Sequence, residues 1–382
     1  MFHGRGGPPS SLRQGATLCA RATITRMPLS IAVLPGDGIG LEVTREAVRV
    51  LAYVRPDIAR EEGLVGGAAI ERGLPPLPDE TRALCERSDA ILFGSVGLPQ
   101  YDRNPFAERP EAALFALRGD FELYANIRPV RVFRGLEDAS SLKPELVRGL
   151  DLIVLRELTG GIYFGKPKGQ HNENGVEVAI DTMIYRAPEV ERIVRMGFEL
   201  ARGRRKKLTS VDKQNVLETS RLWRRITEQI ATAYPDVRVE HLLVDNAAMQ
   251  LVRRPAEFDV IVTENMFGDI LSDEAAIVTG SIGTLPSASL GTRVTNGRTF
   301  GMYEPIGGTA PDIAGKNIAN PTGAILSAAL MLRYTFGDEK NAKRIQGAVA
   351  AAYDAGVRTV DVAAGGASVN TTAFTDAVIA NL

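Results

Sequence analysis

Residues 151–264 contain four short apolar segments that each end at charged side chains, and this repeat constrains the fold more than any other feature. The segments and the residues that follow them are 151–155 before Arg156, 208–211 before Asp212 and Lys213, 237–244 before Asp245, and 258–263 before Glu264. Short apolar runs of this kind are typical of buried strands in parallel sheets, which carry functional sites at the carboxyl ends of their strands. The sequence therefore predicts an α/β fold with polar side chains gathered at one edge of a sheet.

The last of these segments leads into an acidic helix at 264–276. Its apolar residues recur at helical spacing, which places Asp269 and Asp273, four residues apart, on one face of the helix. Two carboxylates at this spacing repel each other, and a divalent cation between them would remove the repulsion. A solvated acidic face is the alternative interpretation. The placement of several polar residues directly after strands favours the metal site, because scattered surface charges would not produce it.

The composition restricts the class of protein and the kind of metal. The 382 residues are 45% hydrophobic and 24% charged, with a net charge of −1, which is typical of a globular protein and does not favour nucleic acid or an anionic membrane as partner. No run of about 18 apolar residues predicts a membrane-spanning helix. The two cysteines favour a reducing compartment such as the cytoplasm. Because no Cys/His cluster has zinc spacing, a bound metal is expected to be Mg²⁺ or Mn²⁺.

Residues 1–28 differ in composition from the rest of the chain. They are rich in arginine, glycine, serine and proline and contain no acidic residue. An organellar transit peptide, a disordered tail and an upstream start codon, with Met27 as the true beginning, all fit this composition. The second and third interpretations are favoured because the segment lacks a clear amphipathic period.

Two glycine-rich segments are candidates for cofactor binding. The first, 35–40, lies between a predicted strand and a predicted helix, but its GxGxG spacing departs from the dinucleotide-binding fingerprint, so an ordinary turn is the alternative. The second, 304–321, has backbone amides that can approach a pyrophosphate, and Asp312 can accept a hydrogen bond from a ribose hydroxyl. Asn320, as N-cap, and the proline after it predict the start of a helix. The small residues at 281–290 predict a loop.

Three arginines and one tyrosine are candidates for binding and catalysis. Arg118, Arg128 and Arg156 carry planar guanidinium groups that suit carboxylates, although one arginine taken alone is more often a surface charge. Tyr163 stands before a polar turn and a weakly alternating segment, which together predict a protruding hairpin. Its hydroxyl is either directed at a site or part of a packed aromatic side chain.

Six motifs resemble the isopropylmalate dehydrogenases, within the isocitrate/isopropylmalate dehydrogenase family of β-decarboxylating enzymes. They are PGDGIG at 35–40, LRELTGGIYFG at 155–165, SVDKQNVL at 210–217, VDNAAMQL at 244–251, NMFGDILSDEAA at 265–276 and EPIGGTAPDIAGKNIANP at 304–321. The resemblance runs in order from about residue 29 to residue 382. It implies an α/β fold of two domains, not a Rossmann fold, with a mixed sheet through both. The first domain would be discontinuous, and the implied boundaries are 29–123 with 280–382 for the first domain, 124–279 for the second, and about 159–185 for a hairpin arm.

The resemblance also implies an activity, which is the metal-dependent oxidative decarboxylation of 3-isopropylmalate with reduction of NAD⁺ in leucine biosynthesis. In the family pattern Arg118, Arg128 and Arg156 hold the substrate carboxylates. The resemblance implies a homodimer with shared sites, in which Lys213 of the partner subunit would remove the hydroxyl proton and Tyr163 would protonate the enol carbon or its relay. The implied ligands of Mg²⁺ or Mn²⁺ are Asp269, Asp273 and Asp245 of the partner subunit. The implied cofactor residues are Glu304, Gly307, Gly308, Thr309, Ala310, Asp312 and Asn320.

The family's alkyl pocket corresponds to Glu111, Leu114, Phe115 and Val216. The last three would form an apolar slot for a branched alkyl group, whereas Glu111 would repel the third carboxylate of isocitrate. Related enzymes that act on homoisocitrate, tartrate or malate differ at this slot and are the first alternative. A catalytically silent dinucleotide-binding protein is the second alternative, although every catalytic position carries a competent residue.

Two residues of the second glycine-rich segment bear on the cofactor. Asp312 would place a negative charge near the 2′-phosphate of NADP, and therefore favours NAD. Gly307 departs from the family, because many members have histidine at this position of the EPxHG motif. This departure puts stacking on the adenine in doubt but leaves the amides of the loop in place.

Overall fold

The predicted apolar runs become strands of one large sheet in the computed structural model, which describes residues 29–382; the predicted N-terminal tail lies outside the described residues. The strands are β1 (Ser30–Gly36), β2 (Ala59–Glu62), β3 (Ala90–Ser95), β4 (Ala125–Arg131), β5 (Asp151–Glu157), β6 (Gly169–Glu173), β7 (Val176–Ile180), β8 (Lys207–Asp212), β9 (Arg238–Leu243), β10 (Val260–Thr263), β11 (Pro286–Thr295) and β12 (Arg298–Pro305).

Helices connect the strands and cover both faces of the sheet. They are α1 (Gly40–Val54), α2 (Gly67–Ile70), α3 (Asp79–Arg87), α4 (Glu111–Asp120), α5 (Pro144–Val147), α6 (Ala187–Arg202), α7 (Glu218–Ala231), α8 (Val244–Arg253), α9 (Asn265–Val278), α10 (Thr322–Tyr334), α11 (Glu339–Asp354) and α12 (Thr371–Ala380). None of the helices between residues 29 and 382 is both long and apolar enough to cross a membrane.

Ten strands form the sheet in the order β2-β1-β3-β12-β11-β4-β5-β10-β8-β9. The strands β1, β2, β3 and β12 are parallel on one flank, and β5, β8, β9 and β10 are parallel on the other. Between the flanks, β11 and β4 are antiparallel to each other and to both of their neighbours. The mixed α/β sheet implied by the resemblance is therefore confirmed, whereas the division into two domains stays a prediction.

The prediction of a loop at 281–290 is wrong. Residues from Pro286 onward form β11, which pairs with β12 on one side and β4 on the other. Ser287, Ala288 and Ser289 are buried, and Ser287 Oγ donates to the carbonyl of Glu304 at 3.0 Å. Small side chains are needed here because helix α10 packs closely against β11 and β12, and such a segment shows no apolar periodicity in the sequence.

Apolar periodicity accounts for the helices that cover the first flank. In α1, the apolar residues at helical spacing, Val43, Ala47, Val50, Leu51 and Val54, are all buried. Helix α10 is buried along nearly its whole length, between the sheet and helices α1 and α11. It begins one residue later than predicted, because Pro321 is its N-cap and the side chain of Asn320 accepts from the N–H of Thr322.

Strands β6 and β7 pair with each other apart from the large sheet. Most of their side chains are exposed, and they lie in the stretch for which the sequence predicts a protruding hairpin. The 3₁₀ turn Gly161–Tyr163 connects β5 to this hairpin. The hairpin therefore extends from the same connection that carries Tyr163.

Candidate active site

One cavity of about 330 Å³ contains most of the residues that the sequence predicts for the site. Those that line it are Glu304, Gly307 and Gly308 from the second glycine-rich segment, Leu114 and Phe115 from α4, and Arg118, Arg128, Arg156, Tyr163 and Asp269. A larger cavity, of about 890 Å³, is lined by none of these residues and lies beside the first glycine-rich turn. Chemistry rather than size therefore identifies the smaller cavity as the candidate active site.

The cavity is built on a row of polar side chains across the central strands. The strand register sets Asn126 opposite Arg156 on β5 and opposite Ser289 on β11, and sets Ser287 opposite Glu304 on β12. Since alternate residues of a strand point to the same face, these side chains share one face with Arg128. Helix α9 packs against β4 and β5 and brings its carboxylates to this face.

Arg156, at the end of β5, is 3% exposed and has its guanidinium held on two sides. Its Nε donates to Oδ1 of Asn265 at 2.8 Å, and its Nη1 contacts Oδ1 of Asp269 in a short ion pair. Burial and the positive charge of Arg128 lower the pKa of Arg156 to about 9. A carboxylate of a ligand would relieve the repulsion between the two guanidinium groups.

Arg128, in the middle of β4, is buried beside the acidic helix. Its Nε donates to Oδ1 of Asn126 at 2.7 Å, and its Nη1 donates to Oγ of Ser272 at 2.5 Å. The same nitrogen lies 3.4 Å from Asp273 and 3.7 Å from Asp269. Burial lowers the pKa of Arg128, which the two aspartates partly offset.

Arg118, on α4, completes the set of arginines. Its Nη2 donates to Oε1 of Glu304 at 3.0 Å, and both side chains are nearly buried. Its Nε is buried and has no hydrogen-bond partner among the described residues. A buried donor without a partner is costly, so this nitrogen marks a place where a ligand oxygen would be favourable.

The phenol of Tyr163 is directed at the acidic helix. Its hydroxyl donates to Oδ2 of Asp269 at 3.1 Å, and the guanidinium of Arg156 lies 5.8 Å from the centre of its ring. Burial raises the pKa of Tyr163, and the negative charge of Asp269 raises it further. The tyrosine is therefore protonated at neutral pH and available as a proton donor.

Helix α9 presents two carboxylates because its start is fixed by Glu264. The side chain of Glu264 accepts from the N–H groups of Phe267 at 2.7 Å and Met266 at 3.1 Å, which caps the helix. Gly268 allows the helix to approach β5, since a Cβ at this position would lie 2.7 Å from the side chain of Arg156. Asp269 and Asp273 therefore lie on one helix face, as predicted, and burial raises the pKa of Asp273.

Lys213 and Asp245 form a separate group that does not line the cavity. They follow β8 and β9, and the Nζ of Lys213 donates to Oδ1 of Asp245 at 2.5 Å. This hydrogen bond lowers the pKa of Asp245. Among residues 29–382, no three His, Cys, Asp or Glu side chains are close enough to hold a metal together. Within one chain, the predicted metal ligands are thus divided between α9 and α8.

The predicted alkyl pocket is divided in the same way. Leu114 and Phe115 line the cavity, and Oε1 of Glu111 would lie only 2.8 Å from a Cβ placed on Gly97, which locates Glu111 beside the loop after β3. Val216, three residues after Lys213, is 64% exposed and lies outside the cavity. Within one chain, Leu114 and Phe115 therefore form one side of an apolar slot.

The two glycine-rich segments are in contact with each other. The carbonyl of Thr309 accepts from the N–H of Ile39 at 2.8 Å, and a Cβ on Gly38, whose φ is +57°, would lie 2.1 Å from that carbonyl. The first segment is therefore a turn that supports the second, which agrees with the alternative left open for its GxGxG spacing. In the second segment Asp312 is exposed, and Ala310 has a φ of 37°.

Asn320 is engaged inside the protein rather than exposed in the loop. Its Nδ2 donates to Oδ2 of Asp361 at 3.1 Å, while its Oδ1 accepts from the N–H of Thr322 at 3.0 Å. Asp361 also accepts from the hydroxyls of Thr359 and Ser281. The structure thus adds Asp361 and Ser281 to the surroundings of the second glycine-rich segment, and the sequence offered no signal for either residue.

Sequence reasoning also missed the residues that hold the arginines and the tyrosine in place. Asn126, Asn265 and Ser272 each hydrogen-bond an arginine of the cavity, and all three are completely buried. An asparagine in a strand or at the start of a helix is a weak sequence signal for such a role, because its hydrogen-bond partners are distant in sequence. Only the pairing of β4 with β5 and the approach of α9 bring these groups together.

Comparison with known proteins gives matches over nearly the whole chain. The family model described as isocitrate/isopropylmalate dehydrogenase matches residues 30–378. A 3-isopropylmalate dehydrogenase of Geobacillus kaustophilus is 57% identical over 346 residues, which are 90% of this chain and 92% of the relative. A 3-isopropylmalate dehydrogenase of Aquifex aeolicus is 53% identical over 357 residues, 92% of this chain and 96% of the relative.

Solved structures with other described activities share the fold. An isocitrate dehydrogenase of Methylococcus capsulatus superposes with a TM-score of 0.82 at 33% identity, covering 92% of this chain and 99% of its own. A β-decarboxylating dehydrogenase of Thermococcus kodakarensis has a TM-score of 0.74 at 36% identity and covers 92% of this chain and 96% of its own. The fold is therefore shared with an isocitrate dehydrogenase and with a second β-decarboxylating dehydrogenase.

Proposed function

The chain belongs to the isocitrate/isopropylmalate dehydrogenase family, and on this basis we propose that it is the NAD-dependent enzyme that oxidatively decarboxylates 3-isopropylmalate in leucine biosynthesis. The observation that carries the proposal is the cavity in which three buried arginines lie beside an apolar slot formed by Leu114 and Phe115. A substrate with two carboxylates and a branched alkyl group fits both features. Two cysteines in the whole sequence are consistent with work in the cytoplasm.

The arginines bind and orient the substrate. The guanidinium groups of Arg118, Arg128 and Arg156 converge on the cavity, and the unpartnered Nε of Arg118 is available to a carboxylate oxygen. Bidentate contacts from arginine fix both the position and the plane of a carboxylate. The alkyl group then faces Leu114 and Phe115, and a third carboxylate in its place would meet apolar surface with Glu111 nearby, which disfavours isocitrate.

The donor set fits Mg²⁺ or Mn²⁺. Asp269 and Asp273 offer hard carboxylate oxygens on one helix face, and Asp245 of the partner subunit would complete the set. Arg128 and Arg156 each form an ion pair with Asp269, so this carboxylate already faces positive charge in the cavity. A bound divalent cation lowers the pKa of a coordinated hydroxyl and stabilises negative charge on the adjacent oxygen.

The proton steps are assigned to Lys213 and Tyr163. Lys213 of the partner subunit would accept the proton of the substrate hydroxyl, and bound NAD⁺ would take up the hydride from the carbon that carries this hydroxyl. Tyr163, protonated at neutral pH because its pKa is raised, returns a proton to the carbon that loses CO₂. The arginines keep the substrate carboxylates in place through both steps.

Two exposed stripes support a homodimer with shared sites. On α8, Asp245, Met249 and Val252 recur at helical spacing on an exposed face, and on α9, Ile270, Asp273 and Ile277 do the same. Each stripe thus combines a predicted metal ligand with apolar side chains that are unfavourable in water. Pairing these stripes across a twofold axis would bury the apolar residues and bring Asp245 of the partner subunit towards Asp273.

The cofactor is assigned to the second glycine-rich segment. Glu304, Gly307 and Gly308 line the cavity, so the nicotinamide end would lie beside the substrate and the adenosine end along 309–320. Asp312 is exposed and would repel the 2′-phosphate of NADP. We therefore expect NAD⁺ to be preferred over NADP⁺.

The proposal is tested by the rate of NADH formation with Mg²⁺ and each of 3-isopropylmalate, isocitrate, homoisocitrate, tartrate and malate. We expect a strong preference for 3-isopropylmalate and NAD⁺, and loss of activity in EDTA that added Mg²⁺ restores. Preference for another acid would contradict the assignment of the slot. Absence of turnover with every acid would contradict the proposal that the chain is a β-decarboxylating dehydrogenase.

A further inference from the structure

The turn formed by Leu158, Thr159 and Gly160 joins Arg156 on β5 to the 3₁₀ turn that carries Tyr163. Its backbone is held on both sides by buried polar side chains. On the N–H side, Glu157 accepts from the N–H of Thr159 at 3.1 Å, the N–H of Gly160 at 2.7 Å and the hydroxyl of Thr159 at 2.8 Å. Glu157 is completely buried. Its charge is matched by Arg192, which lies 3.4 Å away and also donates to the hydroxyl of Thr159.

On the carbonyl side, the turn is held by Asn265. The Nδ2 of Asn265 donates to the carbonyls of Leu158 at 3.2 Å and Gly160 at 3.0 Å. Its Oδ1 accepts from Nε of Arg156 at 2.8 Å. The orientation of the amide is fixed by its partners, because the reverse orientation would place oxygen against two carbonyls and nitrogen against a guanidinium group.

Asn265 is completely buried and is the first residue of α9, four residues before Asp269. Its backbone N–H donates to the hydroxyl of Tyr185 at 2.9 Å, which fixes the position of the residue itself. The side chain of Asn265 therefore contacts both Arg156 and the turn before Tyr163. The residue itself belongs to α9, the helix that carries the predicted metal ligands. Every hydrogen-bonding group of its amide is used.

We infer that Asn265 is a positioning residue that sets the location of Tyr163 relative to Asp269 and Arg156, with Glu157 holding the same turn from the opposite side. This inference rests on the proposed function, because it concerns the proton donor of that reaction. A proton donor that is displaced by about 1 Å can lose roughly a hundredfold in rate. Asn265 thus acts on the chemical step through Tyr163 and on substrate binding through Arg156.

The chain contains a matched control for this inference. Asn126 is also completely buried, and its Oδ1 accepts from Nε of Arg128 at 2.7 Å. Its Nδ2 donates to the hydroxyl of Ser289 at 3.0 Å instead of to the turn before Tyr163. Each asparagine therefore accepts a hydrogen bond from one arginine of the cavity, but only Asn265 also contacts the turn before Tyr163.

The experiment compares Asn265→Ala with Asn126→Ala in the full chain. The measurements are kcat and KM with 3-isopropylmalate, NAD⁺ and Mg²⁺, and the Kd of 3-isopropylmalate with Mg²⁺ alone by calorimetry. We expect both variants to raise Kd, and only Asn265→Ala to lower kcat as well, by roughly 10–100-fold, as is typical when a supporting residue of a site is removed. Glu157→Gln is expected to lower kcat while Kd stays near that of the wild type.

A double-mutant cycle with Tyr163→Phe then separates positioning from general damage. If Asn265 acts on kcat through Tyr163, Asn265→Ala lowers kcat when Tyr163 is present but leaves kcat at about the value of Tyr163→Phe when it is added to that variant. Asn126→Ala added to Tyr163→Phe should raise Kd and leave kcat unchanged, as it does in the wild type. The inference would be overturned if the effects of Asn265→Ala and Tyr163→Phe on kcat multiplied in the double variant. It would also be overturned if Asn265→Ala and Asn126→Ala had the same kcat. If Asn265→Ala does not fold, Glu157→Gln carries the same cycle. A wild-type chain without turnover would instead overturn the proposed function.

Discussion

At the scale of single residues, the site depends on how its charges are neutralised. Arg156 and Arg128 lie beside Asp269 and Asp273, so each charge in the cavity has a partner of opposite sign. Replacing a buried charge on one side only would leave the other unpaired, which is destabilising. Replacements that remove no charge, such as Tyr163→Phe and Asn265→Ala, are therefore more informative about function than removal of an arginine.

Lys213→Ala should abolish turnover with little effect on folding. Lys213 is partly exposed, and its one side-chain hydrogen bond among the described residues is with Asp245, so the fold does not depend on it. Loss of a general base typically lowers the rate by about 10²–10⁴-fold. The measurements are kcat and the melting temperature. The control is Lys168→Ala, which removes an exposed lysine that pairs with Asp181 on the hairpin and should leave kcat unchanged. Normal kcat in Lys213→Ala would remove this lysine from the mechanism.

Many residues of the candidate site could be predicted from the sequence, because they directly follow predicted strands and lie in recognisable motifs. Arg156, Lys213, Asp245 and the acidic helix follow strands, and the structure places them at the carboxyl ends of β5, β8, β9 and β10 as the pattern predicts. Arg128 lies within β4, where no such pattern exists. Asn126 and Asn265 could not be predicted because their roles depend on strand register and helix packing.

At the scale of elements, the strands were predicted best where they are continuous apolar runs. β10 falls within such a run, and β5 and β8 extend only one or two residues beyond theirs. The sequence analysis did not predict β4 and β11. Their residues are partly polar or small and are buried because of the neighbouring strands, so the two segments show no apolar periodicity. These two strands are also the antiparallel centre of the sheet, so the missed elements decided the topology.

The exposed stripes of α8 and α9 should be required for dimerisation. Met249→Lys and Ile277→Lys are each expected to weaken the dimer, because burying such a side chain contributes about 1.5–3 kcal/mol. That energy corresponds to about tenfold or more in the dissociation constant for each subunit. Sedimentation velocity over a range of concentrations measures the change. Val294→Lys, which alters an exposed apolar residue at the end of β11, should leave the dimer intact; equal weakening by all three would contradict the assignment of the stripes.

Strand β9 should make the fold sensitive to mild acid through His241. Nδ1 of this half-buried histidine is buried without a hydrogen-bond partner among the described residues, and burial lowers its pKa from the ordinary value near 6.5. The unfolded chain then binds the proton more readily, so stability falls as the pH drops below about 6.5. Melting temperatures at pH 7.5 and 5.5 should differ less for His241→Leu than for the wild type. The exposed His171 is the control, and His171→Gln should keep the wild-type difference; the same difference in His241→Leu would contradict the expectation.

At the scale of the whole molecule, neither group of predicted residues is sufficient alone. The cavity contains the arginines, Tyr163 and Asp269, whereas Lys213, Asp245 and Val216 lie outside it. A site that is divided in this way within one chain can be completed only by a second copy, if the proposed function is correct. The proposed dimer would thus be part of the catalytic apparatus rather than an addition to it.

Subunit mixing tests this division directly. Tyr163→Phe and Lys213→Ala homodimers should both be almost inactive, but their heterodimer has one site with both residues intact. Random reassortment of the twofold dimers should therefore restore about a quarter of the wild-type activity. Mixing Tyr163→Phe with Asp269→Asn, which damages the same half of each site, should restore none. Absence of recovery in the first mixture would show that each site is built from one chain.

The continuous sheet has a consequence for how the molecule comes apart. β11 and β4 join the two parallel flanks by backbone hydrogen bonds in an unbroken ladder of ten strands. Melting one flank would leave β4 or β11 as a strand edge with unpaired backbone N–H and C=O groups, which is unfavourable. The two flanks should therefore denature together, in one calorimetric peak. Any relative movement of the two flanks would have to bend β4 and β11, which connect them.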